Sequence, residues 1–358
     1  MRHRKRLNAL IKKIEAAKID ALLVTKKENI FYLTSFSSDS AALLIGPRKS
    51  FAITDSRYAE AAGNQIPRGF ELIVLSDTLN TFAKAIAAVA GRRKLKKVGF
   101  ESRAVTFAQY HNTKLTMGNR ALVPTRDIVE SLREIKDAGE IADLQKALAI
   151  TKETLKELKR LLKPQLTESA VLRYIKGAFI EKGAEGTAFE PIVATQPGAS
   201  QPHYQAAANR KLGNNKPILI DMGAVYGGYN SDLTRICVLG KINTKFTRLY
   251  KILLDAQRKA IDLIRPGVKI SAIDDAARQY IADKGFGKFF GHSLGHGIGL
   301  EIHESPTITH RNSGVLEAGM IFTIEPGIYL PGYGGLRIED TIQVTKEGHR
   351  VLTDDIDK

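Results

Sequence analysis

Five ionisable side chains in the last third of the chain constrain its fold more than any other feature. They occur in the glycine-containing segments IDMGAVYGGYNSDLTR, GHSLGHGIGLEIHE, FTIEPG and GLRIED, and they belong to Asp221, Asp232, His296, Glu325 and Glu339. A folded domain cannot bring four carboxylates together at low free-energy cost unless cations neutralise them. If these side chains converge, the sequence predicts a metal site, and a two-metal hydrolytic site is favoured.

Turn and strand patterns place two of the carboxylates on one hairpin. Gly227-Gly228 is a hairpin turn signal between two runs that are typical of strands. With a two-residue loop there, Gly223 is paired with Asp232. Asp221 then lies on the same face as Gly223 and diagonal to Asp232, so that both carboxylates can reach one shared ion.

A second hairpin accounts for the other two carboxylates. A turn around Pro331-Gly332-Tyr333 places Glu325 about opposite Glu339, where like charges destabilise strand pairing. A cation between them removes this repulsion. A single Asp or Glu in such a place is usually a solvated strand or turn residue. Two strand-borne pairs beside a glycine-rich histidine segment argue against that interpretation here.

The histidine segment does not match a helical zinc motif. His292 and His296 have the i, i+4 spacing of HExxH, but the glutamate of that motif is absent and the surrounding glycines oppose a helix. The segment is predicted to be a loop that enters an extended stretch from Ile298 to His303. An isolated histidine there is more often structural, and the four carboxylates favour His296 as a ligand.

The first third of the chain alternates helical patterns with short β runs, which indicates an α/β domain over residues 1–124. The β runs include Ala21 to Val24, Phe51 to Thr54, Glu71 to Val74 and Val98 to Phe100. Residues 125–138 are predicted to be a linker and residues 139–358 a second domain. The helices predicted in the second domain span about residues 139–162, 167–182, 244–264 and 271–283.

The formal net charge of +16 on 358 residues raises the question of nucleic-acid binding. Most of the excess lies in residues 1–130, in the runs Arg2 to Arg6 and Arg92 to Lys97. These runs are not interleaved with aromatic residues, as a platform for stacking single strands would require. Solvated ends and loops explain them, and no nucleic-acid partner is expected.

Cysteine content and hydropathy define the expected environment. The single cysteine, Cys237, excludes a disulfide framework within the chain and is expected to be a buried strand residue of a cytoplasmic protein. No run of about 18 apolar residues occurs, so no membrane span is expected. The start of the chain has the pattern of a basic amphipathic helix, and it lacks the apolar core and cleavage site of a signal peptide.

The chain resembles the pita-bread metallopeptidases, specifically the branch of aminopeptidase P and prolidase. HSLGHGIGLEIHE resembles that branch's signature, and the Asp–Asp–His–Glu–Glu set occurs in family order. The resemblance extends to PIVATQPGASQPHY and LREIKDAGEIADLQKA, and ENIFYLTSFSSDSAALLI with ITDSRY resembles the family's amino-terminal domain. Gln196, Gly198 and Gln201 stand where the family more often has Gly, Asn and Leu. The resemblance implies an α+β chain, with a smaller α/β domain of the creatinase/prolidase N-terminal type before a pita-bread catalytic domain.

The resemblance also implies a ligand set for two metal ions. Asp232 and Glu339 would bridge the ions, Asp221 would bind one, and His296 with Glu325 would bind the other. Oxygen ligands with one imidazole favour Mn(II) or Co(II), and Zn(II) or Fe(II) are possible alternatives. Two such ions would lower the pKa of a water molecule, which supplies a nucleophile near neutral pH. Glu325 would accept the proton of that water and pass it to the leaving nitrogen.

Further site residues follow from the same resemblance. His203 and His303 would donate hydrogen bonds to the scissile carbonyl and its oxyanion. His292 is a candidate for the pocket wall. Arg337 shares the strand face of Glu339, where it could anchor a substrate carboxylate or orient that ligand. The alternative interpretations are a loop residue for His203, a solvent-facing strand residue for His303 and a strand-surface residue for Arg337.

The activity implied is hydrolysis of the Xaa-Pro bond of peptides with a free amino terminus, by a homodimer. Compact length favours a dipeptidase (prolidase), and an aminopeptidase P that acts on longer peptides is the alternative. A methionine aminopeptidase shares the ligands but typically lacks a preceding domain of this kind. A metal-free creatinase-type hydrolase, or a scaffold that only binds proteins or nucleic acids, would not need all five ligands.

Overall fold

The computed structural model describes residues 2–358. The chain forms two compact units, of which the first ends at Arg133 and the second spans Glu134–Lys358. The sequence-based domain limits, with a linker over residues 125–138, stay a proposal about the chain's domains. In residues 2–358 no helix is long and apolar enough to cross a membrane.

A six-stranded sheet forms the centre of the first unit. Its strands are β1 (Ala21–Val24), β2 (Ala41–Ile45), β3 (Ser50–Thr54), β4 (Phe70–Val74), β5 (Lys97–Glu101) and β6 (Ala121–Thr125). Their order is β4-β3-β2-β1-β5-β6, with β1 antiparallel to β2 and parallel to β5. The helices are α1 (Arg2–Ala16), α2 (Lys27–Thr34), α3 (Ala59–Gln65), α4 (Phe82–Arg92), α5 (Phe107–Met117) and α6 (Glu130–Arg133). The four predicted β runs are confirmed, and β2 and β6 complete the sheet.

The amphipathic helix predicted at the start of the chain is confirmed as α1. It buries Arg6, Leu10 and Ile14, which recur at the spacing of one helical face. The central strand β1 reads ALLV and is buried at every position, as expected for a strand that is covered on both faces. The spacing of the buried residues in α1 and the continuous apolar run in β1 therefore account for the structure of these two segments.

The second unit contains the four helices predicted from the sequence. They are α7 (Ala138–Leu161), α8 (Glu168–Glu181), α9 (Thr244–Ile261) and α10 (Ile270–Asp283). Asp137 caps α7 and forms a capping box with Glu140. Thr167 and Asn243 accept backbone hydrogen bonds in the first turns of α8 and α9. Each prediction is confirmed to within one helical turn.

The strands of the second unit form several small sheets. They are β7 (Gly186–Thr187), β8 (Ile192–Thr195), β9 (Pro217–Met222), β10 (Ala224–Tyr226), β11 (Tyr229–Asn230), β12 (Leu233–Val238), β13 (Gly295–Gly297), β14 (Glu304–Ile308), β15 (Ile321–Ile324), β16 (Gly327–Leu330), β17 (Gly334–Arg337), β18 (Asp340–Val344) and β19 (His349–Val351). The sheet orders are β12-β9-β8, β11-β10-β7, β16-β17 and β14-β13-β15-β18-β19. One apolar cluster joins α9 and α10 to β15–β18, and another joins α7 and α8 to β9 and β12. Cys237 is buried in the second cluster, as predicted.

The first predicted hairpin has the predicted register. β9 and β10 keep one register against β12 and β11, which places Gly223 opposite Asp232. The backbones approach closely at this point, because a Cβ on Gly223 would lie 1.9 Å from the carbonyl oxygen of Ser231. Glycine is therefore required there. Asp221 lies in β9, and Asp232 directly precedes the neighbouring strand β12.

The second hairpin also has the predicted register. Gly327 pairs with Arg337 in β16 and β17, and β15 continues the same register against β18. This register places Glu325 opposite Glu339, between the two pairs of strands. The turn spans residues 331–333, as the sequence predicts.

The prediction of an extended segment from Ile298 to His303 is wrong. The strand in this region is β13, which includes His296, and the chain then bends until β14 begins at Glu304. Pairing with β14 shifts register directly after His296. The Glu304 carboxylate lies so close to Gly299 that a Cβ there would be 2.4 Å from Oε1. Glycine permits this tight loop, and the sequence pattern alone does not distinguish it from a strand.

Candidate metal centre

One cavity in the second unit is lined by every side chain proposed for the site. Its volume is about 1080 Å³, near the upper end of the range for small-molecule sites. The two hairpins, β13 and the loops beside them form its walls. The proposed residues in the lining are His203, Asp221, Asp232, His292, His296, His303, Glu325, Arg337 and Glu339.

Three side chains form the centre of the cluster. Asp232, His296 and Glu339 each offer a ligand atom, and these atoms lie within 4.8 Å of one another. The Nε2 atom of His296 is 3.5 Å from Oδ2 of Asp232 and 3.2 Å from Oε1 of Glu325. The registers of the two hairpins thus bring carboxylates from both to one imidazole.

The imidazole of His296 is oriented for a cation. In one tautomer, Nδ1–H donates to the carbonyl of Gly297 at 3.1 Å and Nε2 carries no proton. Nε2 then directs its lone pair at the carboxylates of Asp232 and Glu325. A shared cation, or a proton on Nε2, is needed to make this arrangement favourable. Metal-binding histidines commonly donate their other ring N–H in this way.

Burial couples the charges of these groups. Burial, with the charges of Glu339 and Asp221, raises the pKa of Asp232. Burial, with the charges of Glu325 and Asp221, raises the pKa of Glu339 to about 8. Against the effect of burial, the hydrogen bond and charge of His296 lower the pKa of Glu325 to about 2. The site therefore favours a bound proton or cation at neutral pH.

Two buried carboxylate oxygens are available for ligation. Oδ1 of Asp221 and Oε1 of Glu339 accept no hydrogen bond from any group in residues 2–358. Buried polar atoms without partners are costly, and divalent cations satisfy carboxylate oxygens. The donor set therefore fits a divalent metal, which Asp221, Asp232, His296, Glu325 and Glu339 would hold. When bound, such ions supply Lewis acidity and lower the pKa of water.

Arg337 offsets part of the negative charge. Its guanidinium forms an ion pair with Asp221 and donates to the hydroxyl of Tyr329 at 2.8 Å. It also donates to the hydroxyl of Thr234 at 3.2 Å and to the carbonyl of Pro202 at 3.4 Å. Against burial, Tyr329 and the carboxylates raise its pKa further. These are the contacts of a side chain that orients Asp221.

The other histidines of the cavity have different surroundings. The ring of His303 packs edge-on against that of His296, with centroids 4.2 Å apart. Burial and the charge of His296 lower the pKa of His303. Both nitrogens of His292 are engaged, because Nδ1–H donates to the next carbonyl at 2.8 Å and Nε2 accepts from the hydroxyl of Tyr329 at 3.1 Å. His203 follows a proline in an irregular loop and faces the same cavity.

Two threonines that contact the carboxylates were missed by the sequence reasoning. Thr234 donates to Oε2 of Glu339 at 2.9 Å, and Thr323 donates to Oε1 of Glu325 at 3.2 Å. Thr234 stands two residues after Asp232, and Thr323 two residues before Glu325. Because strand side chains alternate between faces, this spacing could have placed both threonines beside the ligands.

Comparison with known proteins identifies the family. The sequence profile of metallopeptidase family M24 matches residues 142–346, and that of the creatinase/prolidase N-terminal domain matches residues 6–135. The chain belongs to metallopeptidase family M24. Its relatives include an Xaa-Pro dipeptidase of Pyrococcus horikoshii, which is 33% identical over 354 residues, or 97% of each chain.

Solved structures of M24 relatives confirm the fold predicted from the resemblance. An Xaa-Pro dipeptidase from Bacillus anthracis is 34% identical over 99% of both chains, with a TM-score of 0.94. An X-Pro aminopeptidase from Thermotoga maritima MSB8 is 32% identical over 96% of this chain and 97% of its own, with a TM-score of 0.86. The α+β chain thus combines a creatinase/prolidase N-terminal domain with a pita-bread metallopeptidase domain.

Proposed function

We propose that the protein hydrolyses the Xaa-Pro bond of dipeptides that have a free amino terminus. The convergence of four carboxylates and one imidazole in a single cavity carries this proposal. Relatives named as Xaa-Pro dipeptidases support the substrate class. Two divalent ions, Mn(II) or Co(II), are proposed as the cofactors, bound by Asp221, Asp232, His296, Glu325 and Glu339. A homodimer and a cytoplasmic location stay predictions from the family resemblance.

The chain's own residues have separate roles in this proposal. Glu325 accepts a proton from the attacking water and transfers it to the leaving nitrogen. His303 and His203 donate hydrogen bonds to the scissile carbonyl, and these strengthen as negative charge develops on its oxygen. Arg337 keeps Asp221 in position through its ion pair. Tyr329 extends this arrangement, since its hydroxyl is bonded to the Arg337 guanidinium.

The bond before proline demands this kind of recognition. Proline has no backbone N–H, so a peptidase cannot bind the scissile amide through that donor. Recognition must use the carbonyl, the pyrrolidine ring and the charged ends of the substrate. The cavity offers imidazole donors for the carbonyl and apolar surface for the ring, including Phe289, Tyr329 and Pro331.

Hydrolysis of longer Xaa-Pro peptides is the second candidate function. The cavity volume of about 1080 Å³ leaves room beyond a dipeptide. The similar structure from Thermotoga maritima MSB8 is named as an X-Pro aminopeptidase. The two candidates differ in whether the proline carboxylate is free or forms the next peptide bond.

Turnover of matched substrates tests both candidates. Protein reconstituted with Mn(II) or Co(II) is assayed with alanyl-proline, alanyl-prolyl-alanine and a methionyl peptide without proline. A higher kcat/KM for alanyl-proline is expected, with no cleavage of the methionyl peptide. A higher value for the tripeptide would favour the aminopeptidase. Cleavage of neither proline substrate, or less than one metal ion per chain after reconstitution, contradicts the proposal.

A further inference from the structure

Lys288 places a positive charge on the wall of the metal-site cavity. It lies in the one-turn helix Gly287–Phe289, which follows α10 and precedes the segment that contains His292. Its side chain lines the cavity together with that of Phe289. The ammonium is 5.0 Å from the centroid of the Phe289 ring, within the range of a cation–π contact. This contact keeps the charge beside the cavity.

The ammonium of Lys288 has no acidic partner among residues 2–358. In the part of the chain that the structure describes, residues 2–358, no carboxylate forms an ion pair with it. Other surface lysines of the second unit do have such partners: Lys176 lies 2.6 Å from Glu190, and Lys182 lies 2.8 Å from Glu157. Lys288 is exposed and free to bind an anion that enters the cavity.

The other strong cation of the cavity is already engaged. Arg337 is buried, and its donors face Asp221, Tyr329, Thr234 and a backbone carbonyl. A substrate carboxylate could bind Arg337 only by displacing these partners. Because a buried ion pair is costly to break, Arg337 is poorly suited to anchor a substrate that comes and goes.

His292 is also engaged within the protein. Burial lowers the pKa of its imidazole, which disfavours a positive charge there. Both of its nitrogens already have hydrogen-bond partners. Lys288 is therefore the lysine or arginine of the cavity lining whose charge is uncommitted.

The surroundings of Lys288 suit the residue that follows the scissile bond. Its one-turn helix packs against β16, which contains Tyr329. Phe289, Tyr329 and Pro331 offer ring surface in the same cavity. A pyrrolidine ring can pack on such surface while its carboxylate meets an ammonium at the edge.

We propose that Lys288 binds the free α-carboxylate of a dipeptide and thereby selects dipeptides over longer chains. A dipeptide has this carboxylate on the residue after the scissile bond, whereas a longer peptide has an uncharged amide there. The ammonium therefore distinguishes the two classes by charge. The inference rests on the proposed Xaa-Pro peptidase function and deepens it by naming the residue that determines substrate length.

Matched substrates that differ only in this charge test the inference. The Lys288→Met variant and the unaltered protein, both with Mn(II), are assayed with alanyl-proline and alanyl-prolinamide. We expect KM for alanyl-proline to rise roughly tenfold, the size of one charge-assisted hydrogen bond, with kcat nearly unchanged. The values for alanyl-prolinamide should not change. Lys288→Arg should retain most of the preference, and salt should weaken it.

Lys284→Met is the control for loss of a nearby positive charge. Lys284 is exposed at the end of α10 and lies outside the cavity lining. This variant should keep the parent values for both substrates. Equal losses on the dipeptide and its amide in Lys288→Met, or no change on either, would overturn the inference.

Binding of product separates this inference from the proposed activity. Calorimetry with proline and prolinamide measures the carboxylate contact without any turnover. Proline is expected to bind the Mn(II) protein more tightly than prolinamide, and Lys288→Met should abolish the difference. If neither dipeptide nor tripeptide is cleaved, the proposed function fails, and this measurement still decides the role of Lys288. Equal binding of proline by both proteins, or no binding of either ligand, overturns it.

Discussion

Asp221 and Glu339 have the same hydrogen-bonding arrangement at the metal site. Each of two buried acids has one oxygen that accepts a hydrogen bond from the protein and one that accepts none. For Glu339 the donor is Thr234, and for Asp221 it is Arg337. The protein donor fixes the orientation of the carboxylate, and the second oxygen is left for a cation. A bound cation at that oxygen offsets the remaining cost of burying the acids.

Substitution of Glu325 is expected to remove the proton acceptor, and substitution of His203 to remove a hydrogen-bond donor to the oxyanion. Glu325→Gln deletes the proposed proton acceptor and should lower kcat for alanyl-proline by at least about 100-fold. His203→Ala removes one donor to the oxyanion and should lower kcat by about 100-fold, with metal content retained. Steady-state kinetics with elemental analysis on the same samples checks both. A His203→Ala protein at full rate would show that its assigned role is wrong.

Arg337 is expected to contribute more to the free energy of unfolding when no metal is bound than when metal is bound. Arg337→Met leaves the Asp221 carboxylate buried and unpaired, which should lower the free energy of unfolding by about 3 kcal/mol in chelator. Bound metal offsets the same charge, so the loss should be smaller with saturating Mn(II). Urea unfolding in both conditions measures the difference. An equal loss in both would mean that Arg337 acts by packing and not through the charge of Asp221.

Among the elements, the loop that carries His203 depends on one buried glutamate. Glu168, in the first turn of α8, accepts hydrogen bonds from the amide and hydroxyl of Thr195 at 2.8 and 2.6 Å. It also accepts from the hydroxyl of Tyr204 and the amide of Ala207, both at 2.9 Å. These donors lie on both sides of His203. Helix α8 therefore fixes the loop through a single carboxylate.

Removing that carboxylate should affect both stability and turnover. Glu168→Ala leaves four donors without their acceptor and should lower the free energy of unfolding by at least about 2 kcal/mol. Turnover should fall further than the folded fraction does, because His203 loses its fixed position. Glu181→Ala, an exposed carboxylate at the other end of α8, is the matched control and should change neither quantity. Kinetics that track the folded fraction alone would contradict the positioning role.

The hairpins and loops around the site differ in how far the sequence predicts them. The hairpin registers were predictable, because turn signals and the two-residue period of a strand together determine which residues face each other. The loop after β13 was not predictable, because the pattern of glycines does not indicate that the pairing with β14 shifts register there. Gln196 is a similar case: its amide donates to the carbonyls of Pro217 and Gly335 and accepts from the Gly335 amide. These hydrogen bonds join segments that are distant in sequence, so no local sequence pattern predicts them.

At the scale of the whole molecule, the proposed metal ligands all belong to the second unit, Glu134–Lys358. The first unit has an apolar cluster of its own around β1, β2, β3 and β5. It also carries most of the excess positive charge, in runs remote in sequence from the ligands. Stabilisation by metal should therefore be confined to one unit.

Amide hydrogen exchange with and without metal checks this confinement. A ligand at 100 times its dissociation constant stabilises the state that binds it by about 2.7 kcal/mol, or about 100-fold in opening equilibria. Adding Mn(II) to chelator-treated protein should slow exchange in β9, β12, β13, β15 and β18 and leave β1–β6 unchanged. The Asp232→Asn variant is the control, because weaker ligation should abolish the effect in the second unit alone. Equal slowing in both units, or none in either, would contradict a site built from the five residues.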